Sequence, residues 1–373
     1  MLHPMDDLPL HQTAEPLAHV ATGDRNAYDR YFFNGYTADG SLFFAAALGV
    51  YPNRDVVDAA FSVVRDGVQT SVHASARLDP GRRTTVGPVT VEVVAPMRTL
   101  RVVVGPNDAG LEADLTFSAR TEALEEPRFT VRRGTRVVMD YTRLTQFGTW
   151  SGRVAVGSDV VVLDGLDVIG SRDRSWGIRS VGEREGGAPG GVPQFFWLWA
   201  PLNMADRCLH VDFQEDAAGR RAHANGDVVP LLDRPDAPVD LSVPAGARAA
   251  DVSHEVAWRP GTRRADAARL TLVPHGAPPI VAELEPVLDF QMLGIGYLHP
   301  EWGHGMWKGE EAVGVESWKL DELDPLAPQH LHVQQLVRVT VGDDVGTGVL
   351  EQLVLGPHEP YGFTGLADGA PSR

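Results

Sequence analysis

Residues 84–105 read TTVGPVTVEVVAPMRTLRVVVG. β-Branched residues alternate with polar ones between the turn signals Gly87-Pro88 and Gly105-Pro106-Asn107-Asp108, which is the period-2 pattern of half-buried strands. The same alternation follows in LEADLTFSA (111–119). Asp39-Gly40 and Asp66-Gly67 lie between aromatic or valine-rich runs, where a tight hairpin turn needs the positive φ that glycine tolerates. Further strand-like runs come later: PQFFWLWAPL (193–202), CLHVDFQED (208–216), ADVSHEVAW (250–258), HLHVQQLVRVTV (330–341) and GTGVLEQLVLG (346–356). The segment DAARLTL (266–272) fits a helix start and a strand equally well. Thirty-nine Gly and 27 Pro, spread at short intervals, break up long helices and supply turns. Strands spaced by roughly 8 to 12 residues predict a sandwich or a barrel, and closure into a barrel removes exposed edges. The expectation is an all-β chain built of two antiparallel barrels.

With 373 residues the chain exceeds one typical domain of roughly 100 to 200. The densest linker signal is GEREGGAPGGVP (182–193), whose Gly, Pro and charge join cores rather than build one. The expected organisation is an N-terminal arm over 1–24, a first barrel over 25–185 and a second over 186–373. Thirty-three basic against 50 acidic residues give a net charge of −17, which repels phosphate backbones and anionic lipid surfaces. Nucleic acid is therefore not an expected partner. The start MLHPMDDLPL lacks the basic and apolar runs of a secretory signal, and one cysteine, Cys208, forms no internal disulfide. No apolar run approaches the roughly 20 residues of a membrane helix. A cytoplasmic protein with no membrane span is expected. Cys208 lies in an apolar run and reads as a small buried hydrophobe.

Two segments concentrate chemistry. GLDVIGSRDRSWGIR (165–179) gathers Arg172, Asp173, Arg174, Trp176 and Arg179. On a strand, Asp173 and Ser175 face one way and Arg172, Arg174 and Trp176 the other, unless Gly177 bends the chain. Burial raises a carboxyl pKa toward general-acid use, whereas a neighbouring arginine lowers it. A structural ion pair closing a barrel end is the competing reading. LGIGYLHPEWGHGMWKGE (293–310) sets Tyr297, His299, Glu301, Trp302, His304 and Trp307 among five glycines, either as a pocket mouth or as an aromatic core plug. Trp197 and Trp199 share one strand face and Phe196 and Leu198 the other, so one pair lines an interior. His330-x-His332 would place two imidazoles on one strand face, but Gln334 and Gln335 stand where a metal site would need an acid. No metal site is assigned. GTWSG and DRSWG both miss the nucleophile elbow, and phosphate-cradling glycine loops are absent from the sequence.

YDRYFFNGYTADGSLFFAAALGVYPNRD (28–55), GSRDRSWGIR (170–179) and GYLHPEWGHGMWKGE (296–310) together resemble the lipocalin-like two-domain superfamily that includes hydroxyneurosporene synthase (carotenoid 1,2-hydratase) and the AttH proteins. The central motif of that superfamily carries an Asp-His-Glu-Trp-like run. This chain matches it at Asp173 and Trp176 and departs at Arg174 and Ser175. The resemblance implies paired calycin-type barrels with a hydrophobic ligand in or between them, and no metal or nucleotide cofactor. It implies hydratase, lyase or cyclase chemistry on an isoprenoid, steroid-like or polyketide-like molecule, through protonation of an alkene. Asp173 is then the first candidate acid and Glu301 the second, with His299 or His304 positioning water. Trp176, Trp302 and Trp307 would shelter the cation, and Arg174, Arg179, Trp197, Trp199 and Tyr297 would contact the ligand. The alternative is a non-catalytic carrier in which Arg174 or Arg179 holds a carboxylate head group. The partners expected are a hydrophobic small molecule and, at most, a second copy of the chain as a homodimer.

Overall fold

The computed structural model describes residues 9–183, 193–240, 242 and 244–371. Residues 184–192, the centre of the expected linker, lie outside the described residues, as do the first eight residues of the N-terminal arm. The described part of the arm forms no strand; it lies on the first sheet, where Arg82 Nη2 donates to Ala18 O and Asn53 Nδ2 to Thr22 O and Asp24 O. The described residues form strands and short 3-10 turns, with no α-helix among them. The 266–272 segment that fitted either state is part of the strand Ala265–Pro274.

Closure gives one hydrogen-bonded barrel of eight antiparallel strands: Phe195–Asn203, Arg207–Glu215, Arg221–Pro230, Ala247–Trp258, Ala265–Pro274, Ile280–Gln291, His332–Val341 and Asp344–Leu355. Alternation along these strands sends Phe196, Leu198, Leu202, Val211, Phe213, Leu270 and Leu350 inward, where they form a continuous buried cluster. Eight strands enclose a space that side chains can fill, and here they fill it. The other sheet is curled but open, a half-barrel of 14 strands with two free edges. Its central strands are Phe43–Tyr51, Ala27–Thr37, Val168–Arg179 and Arg136–Val156, in that order. One edge is Glu311–Lys319, which leaves the second half of the chain to pair with Val68–Arg77. The first sheet thus takes a strand from beyond the expected boundary. The hairpin between Val56–Arg65 and Val68–Arg77 turns on Asp66 and Gly67, both at positive φ (50° and 74°), as its sequence predicted.

Ala27–Thr37 and Phe43–Tyr51 are buried on both faces, which explains why FFAAALGVY reads as an unbroken apolar run. Phe33 and Phe44 point into the curl of the first sheet against Trp150, and Phe32, Tyr36 and Phe43 point the other way, toward the barrel. A third buried cluster therefore lies between the two sheets, where Phe43 stacks on Phe290 at 4.8 Å and Phe32 meets Trp199 edge-on. That shared layer positions the site described next.

Candidate active site

Alternation on the strand Val168–Arg179 decides which groups meet. Asp173 stands opposite Phe32 on one neighbour and Thr145 on the other, so all three share the face turned toward the barrel. Met139, Tyr141 and Arg143 continue that face on the long strand Arg136–Val156. A cavity of about 880 Å³ opens where this face parts from the barrel. The barrel contributes Trp197 and Trp199, with Phe195, His332, Glu351 and Leu353 beside them. A third wall comes from the loop after the 3-10 turn Met292–Ile295, chiefly Tyr297, Leu298 and His304. The cavity thus sits between the two sheets, while the barrel interior is packed.

Three carboxylates line it, and two are already engaged. Glu351 Oε1 accepts from His332 Nε2 at 2.9 Å and Oε2 from Gln334 Nε2 at 2.7 Å, which keeps its pKa below the usual range despite burial. Glu183 pairs with Arg54 at 2.5 Å and Arg25 at 3.1 Å. Asp173 accepts no hydrogen bond from any described residue. Burial pushes its pKa up from 3.8 to about 6, more strongly than the nearby arginines, Arg143 first, pull it down. At pH 7 about a tenth of such groups carry a proton, against fewer than about one in a thousand for an ordinary aspartate.

Arg143 belongs to a buried polar network beneath the tryptophans. It donates to Glu126 through two nitrogens and reaches Asp212 at 3.3 Å, with its guanidinium 5.1 Å from the ring centre of Trp197 and 5.6 Å from that of Trp199. Glu126 also accepts from Thr145 Oγ1 at 2.5 Å and Trp199 Nε1 at 3.3 Å and lies 3.2 Å from His210. Burial disfavours the Glu126 charge, yet Arg143 and His210 outweigh it and hold the carboxyl well below its ordinary pKa. Burial likewise opposes a charged His210, and Glu126 overrides it, raising that pKa. Glu126, His210 and Asp212 lie close enough together to suggest a metal cluster, but the Arg143 guanidinium already supplies cationic donors to both carboxylates. His73, His299 and Glu316 also cluster. There two backbone N–H groups donate to His299 Nδ1, so its Nε2 carries the proton it gives to Glu316 at 2.8 Å and has no lone pair for a metal.

The structure brings together Asp173, Arg179, Trp197, Trp199, Tyr297, His299 and His304 around the cavity. Both ring nitrogens of His299 are engaged, as just described, and so are those of His304: Nε2 donates to Ile295 O at 2.9 Å and Nδ1 accepts from Arg30 at 2.8 Å. Burial and Arg30 hold His304 well below its usual pKa, so it stays neutral. These two imidazoles fix the loop and are not free to hold water. Five other candidates stand away from the cavity. Glu301 is exposed on the outer side of the loop. Arg174 points to the opposite face of its strand, pairs with Asp29 and lies 4.0 Å over Tyr31. Trp176 shares that opposite face and is 43% exposed. Trp302 stacks on His73, and Trp307, also 43% exposed, lies under Arg77. His330 ends a 3-10 turn, so only His332 enters the strand and reaches the cavity. Cys208 is buried and its thiol pKa is pushed up to about 12 by that burial, so a thiol reagent should label it only on unfolding; fast labelling of native protein by Ellman's reagent would contradict this.

Gly177 sits at φ +137° between Asp173 and Arg179, and a Cβ there would lie 2.3 Å from Asp140 O. Gly177→Ala should therefore lower stability by roughly 2 to 3 kcal/mol, read as a lower urea midpoint. An unchanged midpoint would show that the strand tolerates the side chain. Arg143, Glu126 and His210 escape sequence reading because Arg143 and His210 lie on separate strands and Glu126 in the loop after Leu124–Glu125, with no motif spacing to connect them. Tyr141 and Arg143 do carry one signal, their shared two-residue phase with Thr145.

A family model described as a family of unknown function, DUF8625, matches residues 2–364. The chain belongs to the DUF8625 family. No curated protein matches it. Among solved structures, this DUF8625 member shares its fold with a Nitrosomonas europaea protein described as an AttH, at 15% identity and TM-score 0.51, over 88% of this chain and 93% of that one. Kievitone hydratase from Nectria haematococca matches at 10% identity and TM-score 0.51, over 87% and 88%. CghA matches at 14% identity and TM-score 0.50, over 89% of each chain. The fold is thus the lipocalin-like AttH fold that the sequence resemblance implied. No described helix is long and apolar enough to cross a membrane.

Proposed function

We propose that this DUF8625 protein is an enzyme that takes a hydrophobic small molecule into the cavity between its two sheets and protonates it from Asp173. The observation that carries this reading is the Asp173 carboxyl itself: half-buried, without a hydrogen-bond partner among the described residues, raised to about pKa 6 and set among aromatic walls. The reaction class is hydration, its reverse, or cyclisation of an alkene-bearing isoprenoid-, steroid- or polyketide-like substrate, without a cofactor, in the cytoplasm. In hydration, the Asp173 proton passes to one alkene carbon, whose π pair forms the new C–H bond. The neighbouring carbon becomes a cation, flanked by the rings of Phe32, Tyr141, Trp197 and Trp199. Water adds there and returns a proton to the Asp173 carboxylate, so substrate plus water balances product and the acid is regenerated. Kievitone hydratase, which shares the fold, is a hydratase by name, and this supports the class without naming the substrate. Tryptophan emission titrated with terpenoids, steroids and fatty acids should change, because Trp197 and Trp199 are in the wall. A flat response across that panel would sink the proposal.

A further inference from the structure

We infer that Arg179 and Tyr297 form an anion-holding end of the cavity, so that the molecule bound there is amphipathic and carries a carboxylate, enolate or phenolate oxygen. This deepens the proposed function and rests on it. The two arginines in the cavity wall differ in how they are satisfied. Arg143 is neutralised by Glu126 and Asp212, whereas Arg179 has no carboxylate within ion-pair distance among the described residues. Among the described residues the one hydrogen bond of its guanidinium is to the Tyr297 hydroxyl, at 3.5 Å, and it lies over the rings of Tyr28 at 5.0 Å and Tyr297 at 5.5 Å. A second cation, Arg30, approaches Tyr297 at 4.6 Å while its Nη1 is occupied by His304 and its Nη2 by Ile295 O at 3.3 Å. Two guanidiniums thus flank one phenol ring, and neither lies within ion-pair distance of an acid among the described residues.

No carboxylate of the wall among the described residues lies within ion-pair distance of Arg179. Glu183 is taken by Arg54 and Arg25, and Glu351 by His332 and Gln334. Asp173, six residues away on the same strand face, forms no ion pair with Arg179, although Arg179 is one of the charges that lower the Asp173 pKa. A half-buried cation whose nearest partners are aromatic faces and one hydroxyl is under-compensated, and a planar guanidinium beside a hydroxyl suits a two-oxygen or delocalised anion. Arg179 is followed by the solvent-exposed Ser180 and, two residues on, Gly182, which sets it toward the cavity opening, six residues along the strand from Asp173. A head group held at Arg179 would send an apolar body along Trp197 and Phe32 toward the acid. This fixes which end of the molecule is protonated.

Two probes separate the anion from the rings: anilinonaphthalenesulfonate and N-phenylnaphthylamine, which share an aromatic frame and differ in the sulfonate. Both are titrated against the full chain by quenching of tryptophan emission. The wild-type protein should hold the sulfonate at least about tenfold more tightly than the neutral amine. Arg179→Gln should erase that preference, and Arg179→Lys should keep part of it. The neutral probe reports in the same variants that the cavity is still formed. Neutral-probe binding with no sulfonate preference, or a preference that survives Arg179→Gln, overturns the anion site and leaves the cavity reading standing. Failure of both probes to bind the wild-type protein overturns the two together.

Discussion

Asp173→Asn is expected to lower turnover of a bound substrate about a hundredfold to ten-thousandfold while leaving its affinity largely unchanged. Asparagine keeps the shape and polarity of the side chain but has no proton to give at the alkene. The same substitution should stabilise the fold above about pH 6. The folded pKa of Asp173 is raised, from 3.8 to about 6, so the folded protein favours the protonated form. The favourable contribution is fully present below the unfolded pKa and is lost as pH rises through about 6, beyond which the buried charge is a cost. Asparagine removes that cost. The gain at pH 8 is roughly 1 to 3 kcal/mol, toward the lower end because the cavity admits solvent, and it should vanish near pH 4. Urea unfolding of both proteins at the two pH values reads it directly. Equal stability at pH 8 would show that Asp173 is well solvated in the native state, and unimpaired turnover would leave the cavity to a carrier. A stability gain paired with a loss of turnover is the pattern expected where an active site is held in a strained electrostatic state.

Much of this was legible in the sequence because strand periodicity is a local property. The two-residue phase placed Asp173 opposite Arg172, Arg174 and Trp176, and separated Trp197 and Trp199 from Phe196 and Leu198. The fold bears both out: Phe196 and Leu198 fill the barrel, and Trp197 and Trp199 face the cavity. The hairpin at Asp66-Gly67 was legible for the same reason. Closure was not. Whether the first sheet seals depends on hydrogen bonds between distant strands, and here the edge is Glu311–Lys319, a strand supplied from more than 200 positions downstream of its partner. The aromatic-rich loop 296–310 lines the cavity in part, where its sequence left a pocket mouth and a core plug open as alternatives, and it does not do so residue by residue. Tyr297 turns inward and Leu298 only rims the cavity, 44% exposed, while Glu301 and Trp307 turn out, because glycines at positive φ on both sides break any simple period. The histidines there read as catalytic from their density. The structure shows each with both nitrogens bound, a fact of tertiary contact that no spacing reveals.

Arg143→Met should cost about 3 to 5 kcal/mol of stability, the range seen when one partner is removed from a buried ionic network. Glu126 and Asp212 would be left without their shared guanidinium, in a layer where neither reaches water. Because so large a loss could abolish folding, Glu126→Gln provides the second arm. It retains the shape that accepts from Thr145 and Trp199 and removes only the charge. The two substitutions should move the acid in opposite directions. Arg143 is the principal group lowering the pKa of Asp173 and Glu126 is the group raising it, after burial itself. Arg143→Met, measured at a temperature where it remains folded, should shift the Asp173 titration upward, and Glu126→Gln should shift it downward. Carbon-detected NMR titration of the Asp173 carboxyl reports both without any substrate. Shifts of the same sign, or none, would mean that the network is only a scaffold for the tryptophans. Opposite shifts would show that a cluster buried between the sheets, remote in sequence from the motif that carries the acid, sets the pH range in which that acid can give its proton.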